Sequence, residues 1–317
     1  MIMEILAGIC LSMISLLFLV FIFNSIYIRT PFYLNKVKPI EKFQNGVPEN
    51  LDIMNTGSNH AYYSIDWSIV GVNGFSLASG TQFLSWDYRL VKKYRSHMKQ
   101  SKVLLIVIAD LMFCAVEYPN HSSNFRYYQF LEKEEIPNGT YWKKLKYKYL
   151  PVLENWKNFV HCFYHRGSLF REMEPSLVYA EEESDRRIEG WKKEFNLIDL
   201  QHRESLEHLR RNMIKTEALM KKLIEETREY GLVPVLMLPP LSSVINRKIS
   251  DEFIDEVILK PLSRVASDVP FLNYMRDERF QDYRYYFNGD FMNQAGREKF
   301  MPILWQDIQN AVGEKQQ

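Results

Sequence analysis

Gly57-Ser58-Asn59-His60 lies between an apolar run, Leu51 to Met54, and a helix-like stretch. A serine on such a strand-to-helix turn is where many α/β hydrolytic enzymes present a nucleophile. A serine alcohol attacks only when a base accepts its proton. His60, two residues on, is one candidate base; Asp290, close to the start of the last helical segment, is another. Ser58, His60 and Asp290 would together perform ester hydrolysis or acyl transfer. The simpler reading makes Ser58 a helix cap that accepts a backbone N–H, and Asp290 a solvated carboxylate.

Other reactive patterns are sparse. His161 and His165 flank Cys162 at helical spacing, so both imidazoles could face one metal. No third ligand follows at a recognisable spacing, and no metal is expected. Asn120 and Asn138 open glycosylation acceptor patterns, which matter only in a eukaryotic secretory setting. The chain has no glycine-rich phosphate loop and no dinucleotide fingerprint, so no cofactor is expected. Lys+Arg at 40 and Asp+Glu at 39 nearly cancel, which argues against a nucleic-acid partner. The 3 cysteines contain no CxxC pair, giving neither a disulfide framework nor a zinc ribbon.

The elements that would position these residues follow from apolar patterning. Ile5 to Phe23 carries no charge, and about 20 apolar residues span a bilayer. Only Glu4 is charged before it, so the basic start of a cleavable signal is missing. Residues 1–29 therefore read as a single-pass anchor contacting membrane lipid through 5–23, and proline-bearing residues 30–50 as a linker. Arg29, Lys36 and Lys38 follow the helix, which favours a cytoplasmic domain. Residues 51–317 form the folded domain. Strands are expected at 51–54, 72–78, 103–109, 232–240 and 269–275, and helices at 83–98, 203–230, 251–266 and 294–312. "YWKKLKYKYL" (141–150) reads as an amphipathic helix with a basic face, or as a contact for anionic lipid or polymer. "EEESDRR" (181–187) reads as a helix end or surface loop. Alternating βα units imply a three-layer, doubly wound α/β fold with a mostly parallel sheet. Its ligands would bind beyond the strands' carboxyl ends, where Asn55–His60, Ser79–Gly80, Asp110–Leu111, Pro239–Ser243 and Asn288–Asn293 fall.

This arrangement resembles the SGNH (GDSL-like) hydrolases, including a membrane-anchored bacterial branch that acts on cell-envelope polymers. The resemblance covers residues 51–110 and 215–312, and makes 112–200 an insertion. It places Asn59 at the nucleophile position, Gly80 at the oxyanion-hole glycine, and Leu111 at the position of the family's asparagine. "NGDFMNQAGREKF" then puts Asn288 at the acid position and Phe291 at the base position. The resemblance therefore implies a pseudoenzyme that binds, or assists modification of, an envelope or capsular polysaccharide. Its domain would lie outside the cytoplasm, against the cation count. Asn59, Gly80, Asn288 and Asn293 would line the binding site with His60, and Tyr62, Tyr63 and Trp86 would add aromatic surface. Two alternatives stand beside it. One is an active esterase or O-acyltransferase using Ser58 with His60 or Asp290. The other is a scaffold that docks a polysaccharide-modifying enzyme through 112–200.

Overall fold

The computed structural model describes residues 2–30, 33–34, 40–115, 122–137, 139–153, 159–160 and 175–313. The candidates His161, Cys162 and His165, the acceptor asparagines Asn120 and Asn138, and the cations Lys36 and Lys38 lie outside them. The chain divides into two compact units, residues 1–46 with 118–171 and residues 47–117 with 172–317. The expected linker and insertion are thus each shared between the units.

In chain order the main elements are α1 (Ile2–Tyr27), β1 (Leu51–Asn55), α2 (Asn59–Ser64), β2 (Gly74–Ser76), α3 (Leu84–Tyr94), β3 (Met98–Val107) and α4 (Tyr141–Tyr149). They continue with α5 (Leu177–Phe195), α6 (Arg210–Glu229), β4 (Val233–Leu238), α7 (251–265, with a π turn at Asp255–Leu259), β5 (Phe271–Asn273) and α8 (Gln294–Gly313).

The first unit contains α1, which is long and apolar enough to cross a membrane, as a signal sequence also would be. Its apolar side chains are exposed on all sides up to its last turn. There Tyr27 is buried with Val152 and Phe159.

The second unit is built on a sheet of 5 parallel strands in the order β2-β1-β3-β4-β5. Ile53 aligns with Val103, and Val103 with Val233. Successive strand residues point to opposite faces. Ile53, Leu105, Val107, Val235 and Met237 meet Phe300, Met301, Leu304 and Ile308 of α8. The alternate set, Met54, Leu104, Ile106 and Leu236, is equally buried. With both faces covered, the strands read as continuous apolar runs rather than alternating ones. Growth of the sheet reverses between β1 and β3, which opens a crevice beyond their carboxyl ends.

Several expectations shift. β2 is shorter than 72–78 because Val72 N–H bonds Trp67 O, closing a helical turn at Gly71 (φ 65°) before the strand begins. The stretch 181–187 is neither a helix end nor a loop; it forms the middle of α5. The basic run 141–150 is helical, as α4.

Phe300 anchors the α8 face. It is fully buried, edge-on to Tyr274 at 5.1 Å and to Phe280 at 5.2 Å. Phe300→Ala should destabilise the sheet unit by about 3–5 kcal/mol. Urea unfolding of the detergent-solubilised chain measures this; a loss below about 1 kcal/mol would contradict the packing assigned to α8.

Candidate functional site

The site begins with the turn after β1. Gly57 has φ +125°, and a side chain there would bring Cβ within 2.6 Å of Ala61 Cβ and 3.0 Å of Val107 Cβ. Only glycine lets the chain pass between α2 and β3 in that conformation. The Gly57 amide donates to Asp87 Oδ1 (2.9 Å), which also accepts from Gln82 Nε2 (2.7 Å). The Gln82 amide in turn donates to Ser58 Oγ (3.1 Å), and Ser79 N–H to Gly57 O (3.3 Å). The loops after β1 and β2 are thus fastened together through Asp87, a buried carboxylate on α3. Burial pushes its acid up to about 7, against the Gly57 and Gln82 hydrogen bonds.

This corrects the capping alternative for Ser58. Its side chain makes no cap bond to α2 and instead accepts from the neighbouring loop. Asn59 faces Gly80: a side chain on Gly80 would place Cβ 2.8 Å from Asn59 Oδ1.

Four charged side chains gather at the carboxyl end of the sheet. His60 sits on the first turn of α2, and its Nε2 lies 2.9 Å from Asp110 Oδ2, just beyond β3. Both are buried. Asp290 is buried too, not solvated, and its Oδ2 lies 2.7 Å from Arg187 Nε. The Phe291 ring packs between the pairs, 5.1 Å from the His60 ring and 4.6 Å from the Arg187 guanidinium. Tyr63 stacks on Phe291 at 5.0 Å. Burial alone would lower the His60 pKa, but the carboxylates of Asp110 and Asp290 outweigh it, and His60 is held above its ordinary value. Burial raises Asp290, and Arg187 and His60 only partly offset this. The neighbouring carboxylates thus shift the imidazole toward its protonated form. His60 Nδ1 has no hydrogen-bond partner in the protein.

Arg187 comes from α5, inside the stretch expected to be an insertion. Ala180, Ser184, Arg187, Trp191 and Phe195 recur at helical spacing and face the sheet unit. Two of them are polar, so the stripe carries no clear apolar period. Ser184 lies so close to Gly289 that a Cβ there would come within 2.0 Å of its hydroxyl. Lys248 bridges Glu181 (3.5 Å) and Asp185 (2.5 Å) on the flank of α5, and Arg247 pairs with Glu181. The acidic run is thus a docking face, and it delivers Arg187 to Asp290.

A pocket of ≈ 160 Å³ opens here, lined by Ser58, Asn59 and His60, the 81–84 loop, residues 109–112, Arg187, Trp191 and Phe291 among others. Of the residues proposed from sequence, Ser58, Asn59 and His60 share this pocket, and Asp290 stands behind Arg187. Gly80 only backs Asn59. Asn288 Oδ1 accepts the Phe291 amide (2.8 Å), and Asn293 caps α8 by accepting the Gly296 amide (2.9 Å). Both asparagines shape the loop and neither lines the pocket. Trp86 is buried at 1% exposure and offers no aromatic surface. Sequence reasoning placed Asp110 at the site through its position after an apolar strand but gave it no partner, and it missed Arg187. Among the described residues, no group of His, Cys, Asp and Glu is placed to hold a metal.

Asp87 makes a pH prediction. The folded chain keeps its proton up to about 7, whereas the ordinary value is 3.8. Between those values the folded state binds more protons, so this contribution to stability is complete below 3.8 and is lost as pH rises toward 7. Asp87→Asn, a neutral isostere, should match the parent in acid and gain on it by a few kcal/mol, in order of magnitude, at alkaline pH. Thermal unfolding across that range checks this; parallel curves would contradict an Asp87 pKa that high.

Searched against known protein families and against curated proteins, the sequence matches none.

Proposed function

We propose that this chain is a membrane-anchored, three-layer α/β protein of SGNH-like type whose pocket binds a saccharide of a bacterial cell envelope without hydrolysing it. The observation that carries this reading is the buried His60 imidazole, held through Nε2 by Asp110 at 2.9 Å and with no hydrogen bond from its Nδ1 to Ser58. With Nε2 held by Asp110 and Nδ1 making no bond to Ser58, the serine has no base positioned to take its proton. Phe291, at the position where the resemblance would place a base, packs on Arg187 instead. The lining mixes acidic Asp110 and Glu194 with basic Arg187 and His60, so no single charge dominates, which suits an uncharged, hydroxyl-rich ligand. The Trp191 ring and the Asn59 amide add a stacking surface and a group that both donates and accepts. The pocket is smaller than the ≈ 300–1,000 Å³ typical of drug-sized ligands, so it would take one sugar unit or chain end. In this reading α1 crosses the membrane and the domain lies outside the cytoplasm.

The second reading, an esterase or O-acyltransferase, draws on the same pocket. Ser58 and His60 both line it, and Asp110 backs the imidazole. No hydrogen bond joins Ser58 to His60 Nδ1, however. The two readings separate in one experiment. The detergent-solubilised chain is tested on a glycan array and with a serine-directed fluorophosphonate probe. We expect saccharide binding that falls about ten-fold in Trp191→Ala, and no probe labelling that depends on Ser58. Labelling that vanishes in Ser58→Ala would overturn the binding-only reading.

A further inference from the structure

We propose that α4 is a second membrane contact, lying on the bilayer surface beside the foot of α1 with its aromatic side in the headgroup layer. Tyr141, Leu145 and Tyr149 recur every four residues, and Trp142 falls beside them on the same side of the helix. Trp142 is 73% exposed, Tyr141 60% and Tyr149 59%. The opposite side is already used: the Tyr147 ring lies 4.8 Å from that of Tyr128, and Lys144 pairs with Glu132. Lys146 and Lys148 flank the aromatic stripe, Lys148 5.3 Å from the Tyr149 ring.

The position of α4 selects lipid as the occupant. Asn24, the residue directly after the apolar run Ile5 to Phe23, binds the end of α4 with both ends of its amide. Nδ2 donates to Tyr149 O (3.3 Å), and Oδ1 accepts the Val152 amide (3.3 Å). Tyr27, one turn further on, is buried with Val152 and Phe159. If α1 spans the bilayer, as proposed above, its hydrocarbon segment ends at Phe23 and α4 is clipped at the level where tail meets headgroup. Trp and Tyr concentrate at that depth because the ring prefers the tail boundary and the polar edge prefers water. Flanking lysines extend their stems along the apolar layer and reach lipid phosphates. A helix facing only water would leave this aromatic surface exposed without compensation.

The test uses the whole chain, with Cys162→Ser, reconstituted into vesicles of neutral phospholipid. Lipids brominated near the headgroup report on tryptophan, and lipids brominated deep in the tail report on a fluorophore at Cys10, which is exposed on α1. The expected result is quenching of tryptophan emission by the shallow lipid that disappears in Trp142→Phe, together with quenching of the Cys10 label by the deep lipid. Quenching at Cys10 with no change in Trp142→Phe overturns this inference and leaves the anchor standing. Failure at Cys10 removes the anchor and this inference with it. If Trp142 is shielded from aqueous iodide but untouched by brominated lipid, a protein covers the helix and the lipid assignment is wrong.

Discussion

A buried imidazole paired with a buried carboxylate, beside a second buried acid, is the constraint on which the site depends. An ion taken out of water must be compensated, or it gives up its charge. Asp110 and Asp290 compensate His60, and Arg187 and His60 partly compensate Asp290. These four residues come from α2, the end of β3, the loop before α8, and α5. Removing a partner leaves a buried titratable group less compensated, so the four elements dock together around the pocket.

The loops around the pocket are held by a second buried acid. Asp87 receives the Gly57 amide and the Gln82 side chain, and Gln82 holds Ser58 Oγ by its own amide. Ser58 is thereby committed as a hydrogen-bond acceptor in a structural link. Gly57 makes that link possible, because its positive φ and missing side chain admit the close passage between Ala61 and Val107.

The sheet was largely legible in the sequence because it is covered on both faces. Continuous apolar runs such as 103–107 and 233–238 mark buried parallel strands whatever packs on them. The turn at Gly57 and the closing helix α8 were legible for similar local reasons. α5 was not. Its inward stripe includes Ser184 and Arg187, chosen for contact with Gly289 and Asp290 rather than for hydrophobicity, so its acidic run resembled solvated surface. The ion pairs were hidden for a related reason. Pairing between residues 60 and 110, or 187 and 290, is a property of the folded topology, and no spacing in a single chain announces it. Asn288 and Asn293 looked like ligand groups because amides suit sugars, but turns and helix caps need the same amides.

The most direct measurement is the protonation of His60 itself. A ¹³C- and ¹⁵N-histidine-labelled chain, with His60→Gln identifying the resonance, can be titrated by NMR. The account predicts that His60 keeps its proton above pH 6.5, the ordinary histidine value, because Asp110 and Asp290 hold the charge in place. A His60 that loses its proton below that value would contradict the account.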